Sequence, residues 1–224
     1  NTLLHKDIDK FFQDFLNSLN NSLVRYDVKA LGKDENTTHY IAFYADEKAN
    51  YNEALKVYFP VKYEYMISSL KTIFLYLIRN SIKATVKFHV KSTNEGIVIR
   101  FYNKKAAIPF INYCNNNFEL KDLLEDVNPF IATIYGIGIV EDDNTVGTYN
   151  QTLSNMLTEY FMYVKNNNLL EAVSDLDFLD YVRKRGNIEA DKMVKFNIKA
   201  VENNVTAILN HKSPINEKDL NIGA

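Results

Sequence analysis

Two short apolar segments each carry a side chain able to move a proton. Lys56-Val57-Tyr58 lies in "KVYFPV", and Lys87 lies in "ATVKFHV". A neutral lysine amine is a base, and a tyrosine hydroxyl is an acid or a hydrogen-bond donor. Both segments read as strands, rich in Val, Phe and Tyr. Side chains alternate along a strand, so Tyr58 shares a face with Lys56 and Pro60, and Lys87 shares one with Thr85 and His89. If the two strands are neighbours in a sheet, the Tyr58 oxygen and the Lys87 nitrogen can open into one cleft.

Other chemistries find less support. "GIG" at Gly136–Gly138 runs into "IVE", so it is no phosphate-cradling glycine loop, and neither a serine elbow nor an HExxH motif is present. His5, His39, His89 and His211 lack metal-ligand spacing, and His89 reads as a structural strand residue. Glu141, Asp142 and Asp143 read as a solvated turn rather than a cation site. The single cysteine, Cys114, allows no internal disulfide and fits a reducing compartment.

The elements that must position these residues follow from periodicity. Residues 6–23 carry Ile8, Phe11, Phe12, Phe15 and Leu19 at helical spacing. Residues 24–46 read as turn-rich, with a strand at His39 to Tyr44. The Lys56 strand ends near Pro60, which lacks an N–H donor and suits a strand end or an edge. A helix is predicted over about 62–80, burying Ile67, Leu70, Phe74 and Leu77. Strands follow at 84–90 and 97–103, joined as a hairpin by "STNEG", with Asn94 and Gly96 in the turn. "KKAAIPFINYCNNN" is a helix, started or interrupted near Pro109. The stretch from Leu123 to Ser154 reads as a loop with a short strand, and three helical stretches complete the chain. The pattern predicts one α+β domain over 1–224, with a partly antiparallel sheet, helices packed on it and a helical C-terminal part.

Composition excludes some functions. Among 224 residues, 46% are hydrophobic and 24% charged, enough to bury a core. A net charge of −2 gives no polycation to grip nucleic acid. The longest apolar stretch, Thr72 to Ile78, is too short to span a bilayer, and "NTLLHKDIDKFF" has no signal-peptide pattern. A cytoplasmic protein without a membrane partner is expected; secretion as an effector stays compatible.

The order of these elements resembles the phosphothreonine lyase superfamily: a strand of the form Lys–apolar–(His or Tyr), a long helix, then a strand bearing a Lys. That group includes bacterial effector lyases and the lyase domains of lanthipeptide synthetases. Lys56-Val57-Tyr58 resembles most the KxY form of the HopA-type effector family, which has relatives in peptide natural-product gene clusters. "VKFHV" supplies the Lys, "IVIRFY" looks like the next strand, and "NPFIATIYGIGI" and "TYNQTLSNML" look like two later blocks. The resemblance spans about residues 40–165.

The resemblance implies β-elimination of phosphate from a phosphoserine or phosphothreonine, giving a dehydroamino acid. It implies Lys87 as base, Tyr58 as acid, and Arg100 and Lys56 as phosphate ligands, with neither metal nor cofactor. The partners implied are a phosphorylated peptide or protein and a separate kinase. Relatives carry more arginines. Here "STNEG" has none, the two later blocks have neither Arg nor Lys, and Arg100 is the one Arg of the matched core strands. Lys91, Lys104 and Lys105 are further sources of charge. The scarcity of arginine suits a second reading: an inactive binding module, or an effector, that holds a peptide or a partner enzyme.

Overall fold

The computed structural model describes residues 24–31, 36–44, 55–89, 96–141, 148–169, 174–188 and 192–211, together with helical positions 7, 10, 11, 13–15, 17 and 18. The strands are β1 (Val24–Leu31), β2 (Asn36–Phe43), β3 (Leu55–Phe59), β4 (Ala84–His89), β5 (Ile97–Phe101), β6 (Ala132–Ile134) and β7 (Ile137–Glu141). Among the described residues they form one sheet in the order β1-β2-β4-β5-β3-β7-β6. Every pairing in it is antiparallel. The helices are α1 (Met66–Arg79), α2 (Lys104–Asn117), the single turn α3 (Leu120–Leu123), α4 (Tyr149–Asn166), α5 (Asp175–Ile188) and α6 (Lys192–Leu209). The class is α+β, with a helical C-terminal part.

Alternation divides the sheet into two faces. Val57, Phe59, Val86, Phe88, Ile97 and Ile99 point to one side, where α1 and α2 bury Leu70, Ile73, Phe74, Leu77, Phe110 and Ile111 against them. Each of these large side chains, taken out of water, contributes about 1.5–3 kcal/mol before the entropy of ordering is counted. Ile67, read from the sequence as core, is only part-buried, while Met66 is 1% exposed. Ile67 stands at the rim beside the N-terminal helical positions, whose Phe15 ring lies 5.0 Å from that of Phe74. Ile8, Phe12 and Leu19 lie outside the described residues.

The other face carries Tyr58, Val98 and Val140, which pack with Tyr149, Leu153, Met156 and Tyr160 of α4 and with apolar residues of α5 and α6. Thus the C-terminal helices cover the β3–β7 side of this face.

Several local readings need correction. β1 is a full strand, paired over eight residues with β2, where the sequence reads as turns. β6 and β7 form a hairpin where a loop with a single short strand was expected. Its turn residues, Tyr135 (φ 53°) and Gly136 (φ 80°), are both left-handed, which allows a two-residue connection. Of the two places expected for Pro60, it takes the strand end, directly after Phe59, and β3 itself is central rather than an edge. Pro109 lies inside α2, which begins five residues earlier at Lys104, under an Asn103 cap whose side chain accepts from the Lys105 N–H. The β4–β5 turn residues 90–95, including Lys91 and Asn94, lie outside the described residues, as do Asp142 and Asp143. No described helix is long and apolar enough to cross a membrane.

Candidate active site

The second face of the sheet is open beyond the C-terminal helices, and a cleft of about 310 Å³ lies there. Lys56, Tyr58, Lys87 and Arg100 all line it. The strand registers explain the convergence. Lys87 of β4 and Tyr58 of β3 both stand opposite Val98 of β5. One step along the strands, Thr85 of β4 and Lys56 of β3 both stand opposite Arg100. The cleft floor is therefore two rows, Lys87–Val98–Tyr58 and Thr85–Arg100–Lys56.

One expectation is corrected by this order. β3 and β4 are not neighbours, because β5 runs between them. Two strand spacings put the backbones of Lys87 and Tyr58 about 10 Å apart. The base and the acid candidates therefore flank the cleft across Val98 rather than touching as cross-strand partners. That separation leaves room for a substrate residue between them.

Burial differs along the rows. Tyr58 is 3% exposed, Arg100 6% and Lys56 8%, while Lys87 is half-buried. No aspartate or glutamate is among the described residues that line the cleft. Two lysines and an arginine in one concave space attract an anion, and the low-dielectric walls strengthen that attraction. Of the other candidate cations, Lys104 pairs with Glu141 at 3.8 Å and Lys105 is exposed; neither lines the cleft.

The walls come from residues the sequence reading did not single out. Tyr40 of β2 stands opposite Lys87 and borders the cleft. Tyr102, just beyond β5, is 2.6 Å from the Thr85 hydroxyl. Thr148 caps α4, its hydroxyl accepting from the Gln151 N–H at 3.2 Å, and with Asn150 it closes one side. Thr85 and Tyr102 were within reach of two-residue alternation counted from Lys87 and Arg100, the residues the resemblance had named. Tyr40, Thr148 and Asn150 were not, since they arrive through β2–β4 pairing and helix packing.

Other reactive side chains stand elsewhere. His39 is 2% exposed and stacks on Phe88 at 4.8 Å, on the opposite face of the sheet. His89 belongs to β4, while its side chain lies outside the description. Cys114 is buried in α2, and burial pushes its thiol up, away from a reactive thiolate. Among the described residues no His, Cys, Asp and Glu gather as a metal site. No protein-family model matches the chain, and no curated protein or solved structure matches it significantly.

Proposed function

We propose that this protein eliminates phosphate from a phosphoserine or phosphothreonine residue of a peptide or protein. The observation that carries this reading is the gathering of Lys56, Tyr58, Lys87 and Arg100 around one cleft, with no aspartate or glutamate among its described lining residues. The resemblance of "KVY" and "VKFHV" to the HopA-type family supplies the reaction, and the cleft supplies a place for it.

Lys87, as a neutral amine, takes the proton from the substrate Cα. The C–H electron pair becomes the Cα=Cβ double bond. The Cβ–O bond breaks, and its pair leaves with the phosphate. Tyr58 stands across the cleft and donates a hydrogen bond or a proton to the leaving oxygen. Arg100 meets the phosphate with its forked donors, and Lys56 adds a second charge from the same row. Lys87 leaves the step protonated; where Tyr58 has only lent a hydrogen bond, that proton goes to the phosphate or to solvent, and where Tyr58 has given up its proton, the proton on Lys87 returns to the Tyr58 oxygen through solvent. Nothing is oxidised or reduced, so the balance requires no redox cofactor. A separate kinase would supply the substrate.

The test is mass spectrometry on phosphothreonine and phosphoserine peptides incubated with the protein. Loss of the mass of phosphoric acid is the expected result. Loss of the mass of metaphosphoric acid would mean hydrolysis, and an unchanged peptide would remove the lyase reading. One observation favours a second reading, a module that binds a phosphopeptide without chemistry: Arg100 is the one arginine lining the cleft among the described residues. Binding that depends on the phosphate, with no change of mass, would select it.

A further inference from the structure

A phosphate monoester presents three terminal oxygens, each with lone pairs for more than one hydrogen bond, and a bidentate guanidinium with one ammonium leaves some of these open. The cleft holds a further donor. Thr85 and Tyr102 both line it, and their hydroxyl oxygens are 2.6 Å apart. Thr85 faces Arg100 across β4–β5, and Arg100 faces Lys56 across β5–β3. Tyr102 follows Arg100 by two residues, which returns it to the same side of the chain.

The hydrogen-bond count is informative. Two hydroxyls carry two protons, and the bond between them uses one. Either oxygen can donate, but the phenol is the more acidic. When Tyr102 donates, it occupies one lone pair of Thr85 and leaves Thr85 its own proton. That proton belongs to the cross-strand partner of Arg100, in a cleft with no acid among its described lining residues. An anion is the acceptor such a donor suits.

Resting on the lyase reading above, we propose that Thr85 is a ligand of the substrate phosphate and that Tyr102 is the positioning residue that orients it. A β-branched replacement keeps the strand, so Thr85→Val removes the donor with little change of shape.

The experiment measures calorimetric binding of inorganic phosphate, and KM and kcat on a phosphothreonine peptide, for wild type, Thr85→Val, Thr85→Ser, Tyr102→Phe and the Thr85→Val/Tyr102→Phe double variant. Loss of a donor to a charged acceptor weakens phosphate binding on the order of 10- to 100-fold in Thr85→Val. KM rises with it and kcat changes less, while Thr85→Ser restores both. Tyr102→Phe has a smaller effect, and the double variant is no weaker than Thr85→Val, because the tyrosine acts through the threonine. Wild-type affinity in Thr85→Val overturns the proposal, as does a wild-type protein that binds no phosphate. A double variant weaker than Thr85→Val overturns the positioning role of Tyr102. Hydroxyl-dependent phosphate binding without any elimination would retire the lyase reading and leave Thr85 as an anion ligand.

Discussion

Lys87 is half-buried at the edge of the cleft, so truncating it removes the amine without hollowing the core. Lys87→Ala is expected to abolish elimination while thermal unfolding stays close to that of wild type; appreciable residual turnover would deny it the role of base. Tyr58 is different, since its ring is 3% exposed and packs with Val98, Val140 and α4. Tyr58→Phe keeps that ring and loses only the hydroxyl, so the fold persists and kcat falls by about 10²–10⁴ if the hydroxyl is the acid. Unchanged kcat would move that role elsewhere. Of the six residues in the two rows, Lys56, Tyr58, Lys87 and Arg100 were named because the resemblance implies their roles, and alternation added that Lys56 shares a face with Tyr58 and Thr85 with Lys87. What alternation cannot report is which strand lies beside which. For that reason β5 and Val98, standing between the acid and the base candidates, were invisible until the pairing was known.

Two glycines hold the strand elements to their spacing. Gly138 of β7 stands opposite Tyr58, and a Cβ there would come within 2.9 Å of Ile131 Cγ2 and 3.1 Å of Tyr58 Cβ. Gly138→Ala is expected to push Tyr58 from its place and reduce kcat more than it reduces stability; parallel measurement of turnover and of the denaturation midpoint would separate the two. Gly96 has φ +50°, and a Cβ would meet the Phe59 carbonyl oxygen at 2.6 Å and the Val61 nitrogen at 2.7 Å. Both contacts are backbone, so Gly96→Ala is expected to cost more than about 1 kcal/mol, seen as a lower denaturant midpoint. An unaffected midpoint would mean the β5 entry yields freely. At this scale α1, β3, β4 and β5 were readable because their apolar residues keep a clear period. β7 lacks one: Ile137 and Ile139 face the first core while Val140 joins the second, so both faces are covered and the run looks featureless. Its hairpin turn uses Tyr135 at positive φ in place of the asparagine that would have marked it. β1 does alternate, as Arg25, Asp27 and Lys29 between apolar residues, and was obscured by the turn-forming residues that follow it.

At the scale of the whole molecule, one sheet serves two layers of helices, and the cleft is the part of the second face that α4, α5 and α6 leave open. These helices matter to the site because α4 begins at its wall with Thr148 and Asn150. They are tied to one another by apolar packing and by carboxylates. Glu159 of α4 accepts from Tyr181 at 3.0 Å and Arg185 at 3.1 Å, and Glu202 of α6 meets Arg183 at 3.4 Å and Lys199 at 2.8 Å. Part-burial alone would raise the Glu202 carboxyl, but the hydrogen bonds and charges of Lys199 and then Arg183 outweigh it and hold the group below its ordinary 4.5. A carboxylate lowered in the folded state contributes stability that is present above its unfolded value and lost as the pH falls through the folded one. Its lysine and arginine partners are about half-exposed, so the contribution is under about 1 kcal/mol and is screened by salt. Acidification below 4.5 is therefore expected to loosen α5 and α6 slightly while the sheet stays protected. Hydrogen exchange, corrected for intrinsic rates, would show faster opening over 175–209 than over 84–101 in that range. Glu202→Gln should bring some of that opening to neutral pH and flatten its pH dependence. If the variant kept the full pH dependence of wild type, Glu202 would not be the group responsible.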